Sequence, residues 1–215
     1  MPARKQPEDV PVYLFTGFLE GGKTKFIQET MEDPRFNKGE RTLLLLCEEG
    51  EEEYDISTYP AKNVYQEVIE DESELNPEHL TELLEKHQAE RVVLEYNGMW
   101  QLKFLFEHIP DNWTVYQEMC FVDATTFMNY NANMRSLVVD KLNTCELVVF
   151  NRFTKDMDKM EFHKIVRAVS RRTDIAYEYT DGKVEYDQIE DPLPFDINAP
   201  AVSYTHLTLP TNSLV

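Results

Sequence analysis

YLFTGFLEGGKTKFIQET, residues 13–30, is the stretch on which the reading of this chain turns. Its start closes an apolar run, VPVYLFTG (10–17), which reads as a buried strand. KTKFIQETMED (23–33) follows with apolar residues at helical spacing and stops near Pro34. Between them lies GFLEGGKT, residues 17–24. Its glycines carry no Cβ, so several backbone N–H groups can converge on one anion. The helix that follows adds the positive end of its dipole at Lys23 and Thr24.

The octet fits G-x-x-x-x-G-K-[ST], the phosphate-binding P-loop. On this reading Gly17, Gly21 and Gly22 shape the cradle, Lys23 reaches the β- and γ-phosphates and the Thr24 hydroxyl ligates Mg²⁺. Glu20 and Lys25 complete the nucleotide-binding stretch. Glu20 is an acid inside an anion-holding loop, so its side chain is expected to point outward, to solvent or to a partner or substrate group.

The 215 residues carry a net charge of -19, with 42% hydrophobic and 28% charged residues, ordinary proportions for a soluble globular protein. Such a surface repels nucleic acid and anionic lipid, which need clustered Lys and Arg. A nucleotide asks only for one local electropositive site. Cys47, Cys120 and Cys145 are each set beside an apolar run and read as buried thiols; their spacing is neither a disulfide framework nor a CxxC metal pattern. No apolar run approaches the roughly 20 residues of a membrane span, and the first residues lack the apolar core of a signal peptide. A cytoplasmic protein is expected.

Beyond the opening stretch, short apolar runs alternate with helical patterns. Strands are expected at 41–50, 63–69, 91–98, 114–125, 146–153 and, last, 174–179. Helices are expected at 76–88, with Asn76 as N-cap and Pro77 at its first position, and at 101–110, 127–145 and 155–173. The alternation predicts an α/β fold, a three-layer sandwich around a mainly parallel sheet. Residues 1–186 are taken as this domain and 187–201 as a Pro-rich linker. After Asp196 no charged residue occurs in the final 19 positions, and 202–215 is expected to be a non-native tail, with a C-terminal domain missing.

Hydrolysis of a bound triphosphate needs Mg²⁺ held by carboxylates and a positioned water. CEEGEEEYD after the second strand offers Glu48 on a loop with Gly50, and LEYNG offers Glu95 at a strand end, with Gly98 able to bring a backbone N–H to the γ-phosphate.

In this order the pieces resemble the CobW/HypB/UreG class of P-loop GTPases, most closely its CobW-like metallochaperone branch. That branch reads TGFLGAGKTT where this chain has TGFLEGGKTK; CEEGE (47–51), EYNG (95–98), FVDAT with Asp123, and CELVVFNRFT (145–154) follow as its later motifs do. The resemblance covers about 10–185 and implies GTP and Mg²⁺ as ligands, slow GTP hydrolysis, and a role in metal homeostasis or metal-cofactor insertion, with a client metalloprotein as partner. It assigns the nucleotide base to Asn151 and Arg152, the Mg²⁺ to Thr24, Glu48 and Glu95, and catalysis to Lys23, Glu48 and Glu95.

The chain departs from that pattern at two sites. NRFT places Thr154 where the branch has the Asp that reads guanine, leaving guanine and adenine both open, with Asp156 or Asp158 as replacements. The C-x-C-C thiolate motif for zinc or another transition metal is absent: residues 51–95 hold no cysteine, and His79 and His87 sit on an ordinary amphipathic helix. A non-hydrolysing, nucleotide-sensing or partner-docking module therefore stands as the alternative.

Overall fold

Val10–Thr16 forms a first strand, β1, and Lys23–Glu32 the helix that follows it, α1. The computed structural model describes residues 9–48, 50, 54–60 and 62–189. The expected linker beyond residue 189 and the suspected tail at 202–215 lie outside the described residues, as do residues 1–8, most of the acidic run at 49–53, and residue 61. The chain continues through β2 (Thr42–Leu46), β3 (Val64–Val68), α2 (Pro77–His87), β4 (Arg91–Glu95), α3 (Leu102–His108), β5 (Trp113–Asp123), α4 (Ala124–Asn133), α5 (Arg135–Thr144), β6 (Leu147–Phe153), α6 (Lys159–Arg167), β7 (Asp174–Tyr179) and β8 (Val184–Tyr186).

The strands form one sheet in the order β3-β2-β4-β1-β5-β6-β7-β8, parallel throughout except for β8, which runs antiparallel to β7. β2 and β4 are buried at every position, the signature of strands covered on both faces. Residues paired across a parallel ladder project to the same face. Leu45, Leu94 and Leu14 thus point one way and pack under α2 and α3, while Cys120, Val122, Val148 and Phe150 on the same face pack under α4, α5 and α6. Phe15, Leu44, Val93 and Phe121 point the other way, against Phe26, Ile27 and Met31 of α1. The Phe127, Phe150 and Phe162 rings lie 4.9–5.6 Å apart, and emptying the Phe150 position costs about 3–5 kcal/mol.

Asn76 caps α2 as expected, accepting from His79 N at 2.9 Å. The strand expected over 114–125 gives way to α4 at Ala124, capped by Asp123, and the helix expected to reach 173 ends at Arg167. Three further differences have a local cause. The single helix expected over 127–145 is two, because Met134 leaves the helical region (φ -131, ψ 39) after a run holding Asn129, Asn131 and Asn133. Asparagine side chains compete for backbone groups, and Asn133 bonds the Asn129 carbonyl at 2.8 Å. The helix expected over 155–173 starts only at Lys159, where Asp158 accepts from Met160 N at 2.9 Å and caps it. Finally, β7 is not the last strand. A turn at Asp181-Gly182, with Gly182 at φ 83, folds β8 back onto it.

Candidate functional site

The carboxyl ends of β1, β2, β4, β5 and β6 converge on one side of the sheet, beside the strand from which the chain winds in both directions. Open α/β sheets bind ligands at such a switch point. Residues 17–22 form the turn between β1 and α1. An added Cβ at Gly17 would lie 1.9 Å from the Phe121 carbonyl oxygen, and one at Gly21 would lie 2.6 Å from the same atom. Gly22, at φ 96, is the N-cap of α1, and no side chain caps the first turn. The leading N–H groups of the helix are therefore left for an anion.

Lys23 is 3% exposed. Its Nζ donates to Gly17 O at 2.9 Å, to Phe18 O at 3.0 Å and to Glu48 Oε2 at 2.7 Å. Thr24 Oγ1 donates to Glu95 Oε1 at 2.9 Å, and the Tyr54 hydroxyl donates to Glu95 Oε2. Burial raises the pKa of Glu95, and the Tyr54 hydrogen bond, the Lys23 charge and the Thr24 hydrogen bond pull it back. Burial, followed by the Glu95 charge, raises the Tyr54 phenol, which stays protonated. The Cys47 thiol beside Glu48 is raised by burial and is no nucleophile.

These groups enclose a cavity of about 210 Å³ lined by Leu19, Glu20, Gly21, Gly22, Lys23, Thr24, Glu48, Gly50, Glu95 and Arg152. Eight residues expected at the site from sequence thus meet in one place. Glu20 is exposed, as expected, in a left-handed conformation at φ 61. Arg152, also left-handed at φ 56, donates to Glu20 O at 2.7 Å and pairs with Asp123 Oδ2 at 2.6 Å. Asn151 lies beneath the loop: a Cβ at Gly22 would fall 2.4 Å from its Nδ2. Gly98 packs on the loop backbone and turns its N–H to Glu48 Oε1 at 3.4 Å. Lys25 stands apart, its side chain 62% exposed on α1 and 3.9 Å from Glu29.

The structure adds Tyr54, Asp123 and Phe121 to the site. Tyr54 lies in the CEEGEEEYD stretch, of which the sequence marks only the acid and the glycine at its start. Phe121 contributes only a carbonyl, which a side-chain reading cannot see. Near the base motif, Asp158 is engaged in capping α6, while the Thr154 hydroxyl bonds Asp156 and holds that carboxyl below its usual range. Elsewhere, His87 Nε2 lies 2.6 Å from Glu67, and all three cysteines are buried and free. Among the described residues, no group of three or more His, Cys, Asp or Glu side chains is placed to hold a metal ion, and no helix is long and apolar enough to cross a membrane.

No protein-family model matches the chain, and no curated protein matches it. Solved structures do. The hydrogenase maturation factor HypB from Archaeoglobus fulgidus superposes with a TM-score of 0.55 at 15% identity, over 81% of this chain and 83% of that one. The signal recognition particle 54 kDa protein from Aeropyrum pernix K1, in complex with GDP, superposes with a TM-score of 0.51 at 16% identity, over 86% of this chain and 45% of that one. At these identities the likeness is one of fold: an α/β sandwich around a mainly parallel sheet.

Proposed function

We propose that this chain binds GTP with Mg²⁺ in the cavity at the head of α1 and hydrolyses it slowly. Its role would be CobW-like, in metal homeostasis or metal-cofactor insertion. The observation that carries the reading is the setting of Lys23. A buried ammonium is costly unless it is paired and fully hydrogen-bonded. Here two loop carbonyls and the Glu48 carboxylate meet that need. Glu48 thus stands as the anion beside Lys23, in a cavity whose other donors are the N–H groups at the head of α1, the Thr24 hydroxyl and the Arg152 guanidinium. A phosphate that takes Lys23 releases Glu48 toward the cavity, where it faces Glu95 and Thr24.

The donor set fits a hard divalent cation, with one hydroxyl at Thr24 and carboxylates at Glu48 and Glu95. Bound Mg²⁺ would neutralise charge on the phosphate oxygens. This chain's own part is to position. Lys23 and the loop N–H groups fix the phosphates, the desolvated walls strengthen those contacts, and Glu48 or Glu95 orients a water. The GDP bound to the signal recognition protein, which shares the fold, is in keeping with a guanine nucleotide.

Thr154 at the base motif favours a second reading, a nucleotide-sensing or partner-docking module without turnover. Steady-state phosphate release separates the two. Calorimetric titration of the chain with GTP and ATP analogues plus Mg²⁺, alongside Lys23→Ala, tests the cradle itself. We expect GTP binding that Lys23→Ala weakens at least a hundredfold. Equal binding of both nucleotides would keep the cradle and remove guanine selectivity. Binding of neither would sink the nucleotide reading.

A further inference from the structure

Tyr54 ends the acidic run after β2 and touches the cavity through Glu95, which lines it. Its hydroxyl donates to one oxygen of Glu95, and Thr24 Oγ1 donates to the other at 2.9 Å. Both carboxylate oxygens therefore have a fixed neutral donor, on a side chain only 4% exposed. A neutral O–H orients a carboxylate without cancelling its charge, whereas an ammonium would compete with a cation for it.

Beyond Tyr54 the chain lies as a strap along α1. Gln28 Nε2 donates to Asp55 O at 3.1 Å and to Thr58 Oγ1 at 2.9 Å. Its Oε1 accepts from Asp55 N at 3.2 Å and from the Tyr59 hydroxyl at 2.9 Å. Thr58 also donates to Glu32 at 2.6 Å. Thr24, Gln28 and Glu32 are four residues apart and share one face of the helix. That face carries the cation-side hydroxyl at its head and the strap's anchors behind it.

We propose that Tyr54 is the positioning residue of the cation site, aiming the Glu95 carboxylate at Thr24 and tying cation occupancy to the strap at 54–59. The proposal rests on the nucleotide-binding reading above. A divalent cation drawn to Thr24 and Glu95 then tightens the contact that seats Tyr54, and the strap with it. Loss of the phenol frees Glu95 to turn while leaving the phosphate cradle of Lys23 and the loop intact.

Tyr54→Phe keeps the ring that packs against the core on the α1 side of the sheet and removes only the hydroxyl. The full chain and this variant are titrated with a non-hydrolysable GTP analogue, in Mg²⁺ and in EDTA, with hydrogen exchange followed over 54–59. We expect equal affinities within about twofold in EDTA. In Mg²⁺ the variant should bind about tenfold or more weakly, as befits a lost hydrogen bond to a charged group. The wild type should gain exchange protection at the strap on binding with Mg²⁺, and the variant should not. A variant that keeps the whole Mg²⁺ gain, binds more tightly in Mg²⁺, or loses equally in EDTA overturns the positioning role while the nucleotide reading stands. A wild type that binds the analogue in neither condition overturns the nucleotide reading itself, and the Tyr54 role with it.

Discussion

Gly98 and Gly17 meet backbone to backbone. A Cβ on Gly98 would stand 2.6 Å from the Gly17 carbonyl oxygen and 2.8 Å from the Cα of Phe18. The loop after β4 is therefore seated directly on the turn between β1 and α1, and the Gly17 carbonyl in question is one of the two that hold Lys23. Neither obstacle is the movable end of a side chain. Gly98→Ala should destabilise the fold by about 1–3 kcal/mol through overpacking. It should also weaken nucleotide binding, because the displaced Gly17 carbonyl no longer fits Lys23. Urea unfolding and calorimetry on the same preparation check both effects; an unchanged midpoint would mean that the two loops are not in contact.

Glu20 offers the opposite substitution. It sits at φ 61, a conformation that costs a side chain on the order of 1 kcal/mol and costs glycine little. Its carboxylate also borders the cavity proposed to hold the phosphates. Glu20→Gly should leave stability unchanged or raise it by up to about 1 kcal/mol, the relief being offset by glycine's freedom in the unfolded chain. Nucleotide affinity should rise several-fold, and more at low salt than at high salt. Weaker binding in the variant would show instead that Glu20 contacts the ligand.

Glu118 lies in β5 behind the site, accepting from Thr144 Oγ1 at 2.9 Å. Burial raises its pKa from 4.5 to about 7, against the pull of Thr144 and Lys141. The folded chain thus keeps this proton up to about pH 7, while the unfolded chain releases it near 4.5. The group's contribution to stability is full below the unfolded value and is lost as pH rises through the folded one. The difference is on the order of 3 kcal/mol. Glu118→Gln carries no such proton, so it should match wild type within about 1 kcal/mol at pH 5 and exceed it by about 2–3 kcal/mol at pH 8. Denaturant curves at the two pH values decide; a pH-independent gap would show that Glu118 is ionised in the folded state.

The parts of the fold that could be read in advance were those with a strong local pattern. TLLLL and RVVLE are apolar without interruption because both faces are covered, and they appear where expected as β2 and β4. The helix boundaries misread were those settled by single polar residues. Asp158 could have been recognised as a cap, and Asp181-Gly182 as a hairpin turn. The break at Met134 is harder, since its signal is three asparagines spread over one and a half turns. That Lys23, Thr24, Glu48 and Glu95 would meet around one cavity was legible, because a glycine-rich turn into a helix and acids after two parallel strands place them at the same edge of the sheet. Tyr54 was not, because its role follows from where the strap lies on α1, and that packing has no sequence pattern.

The seating of Gly17 and Gly21 on the Phe121 carbonyl has a consequence for how the protein is made. The floor of the glycine-rich turn belongs to β5, which joins β1 through pairings such as Thr16 with Cys120, about a hundred residues apart. A nascent chain that has emerged only as far as α1 already carries the whole GFLEGGKT motif, yet nothing holds it in shape. Competence to grip an anion should therefore arrive abruptly during synthesis, when the fifth strand clears the ribosome and docks, and not gradually as the motif itself appears.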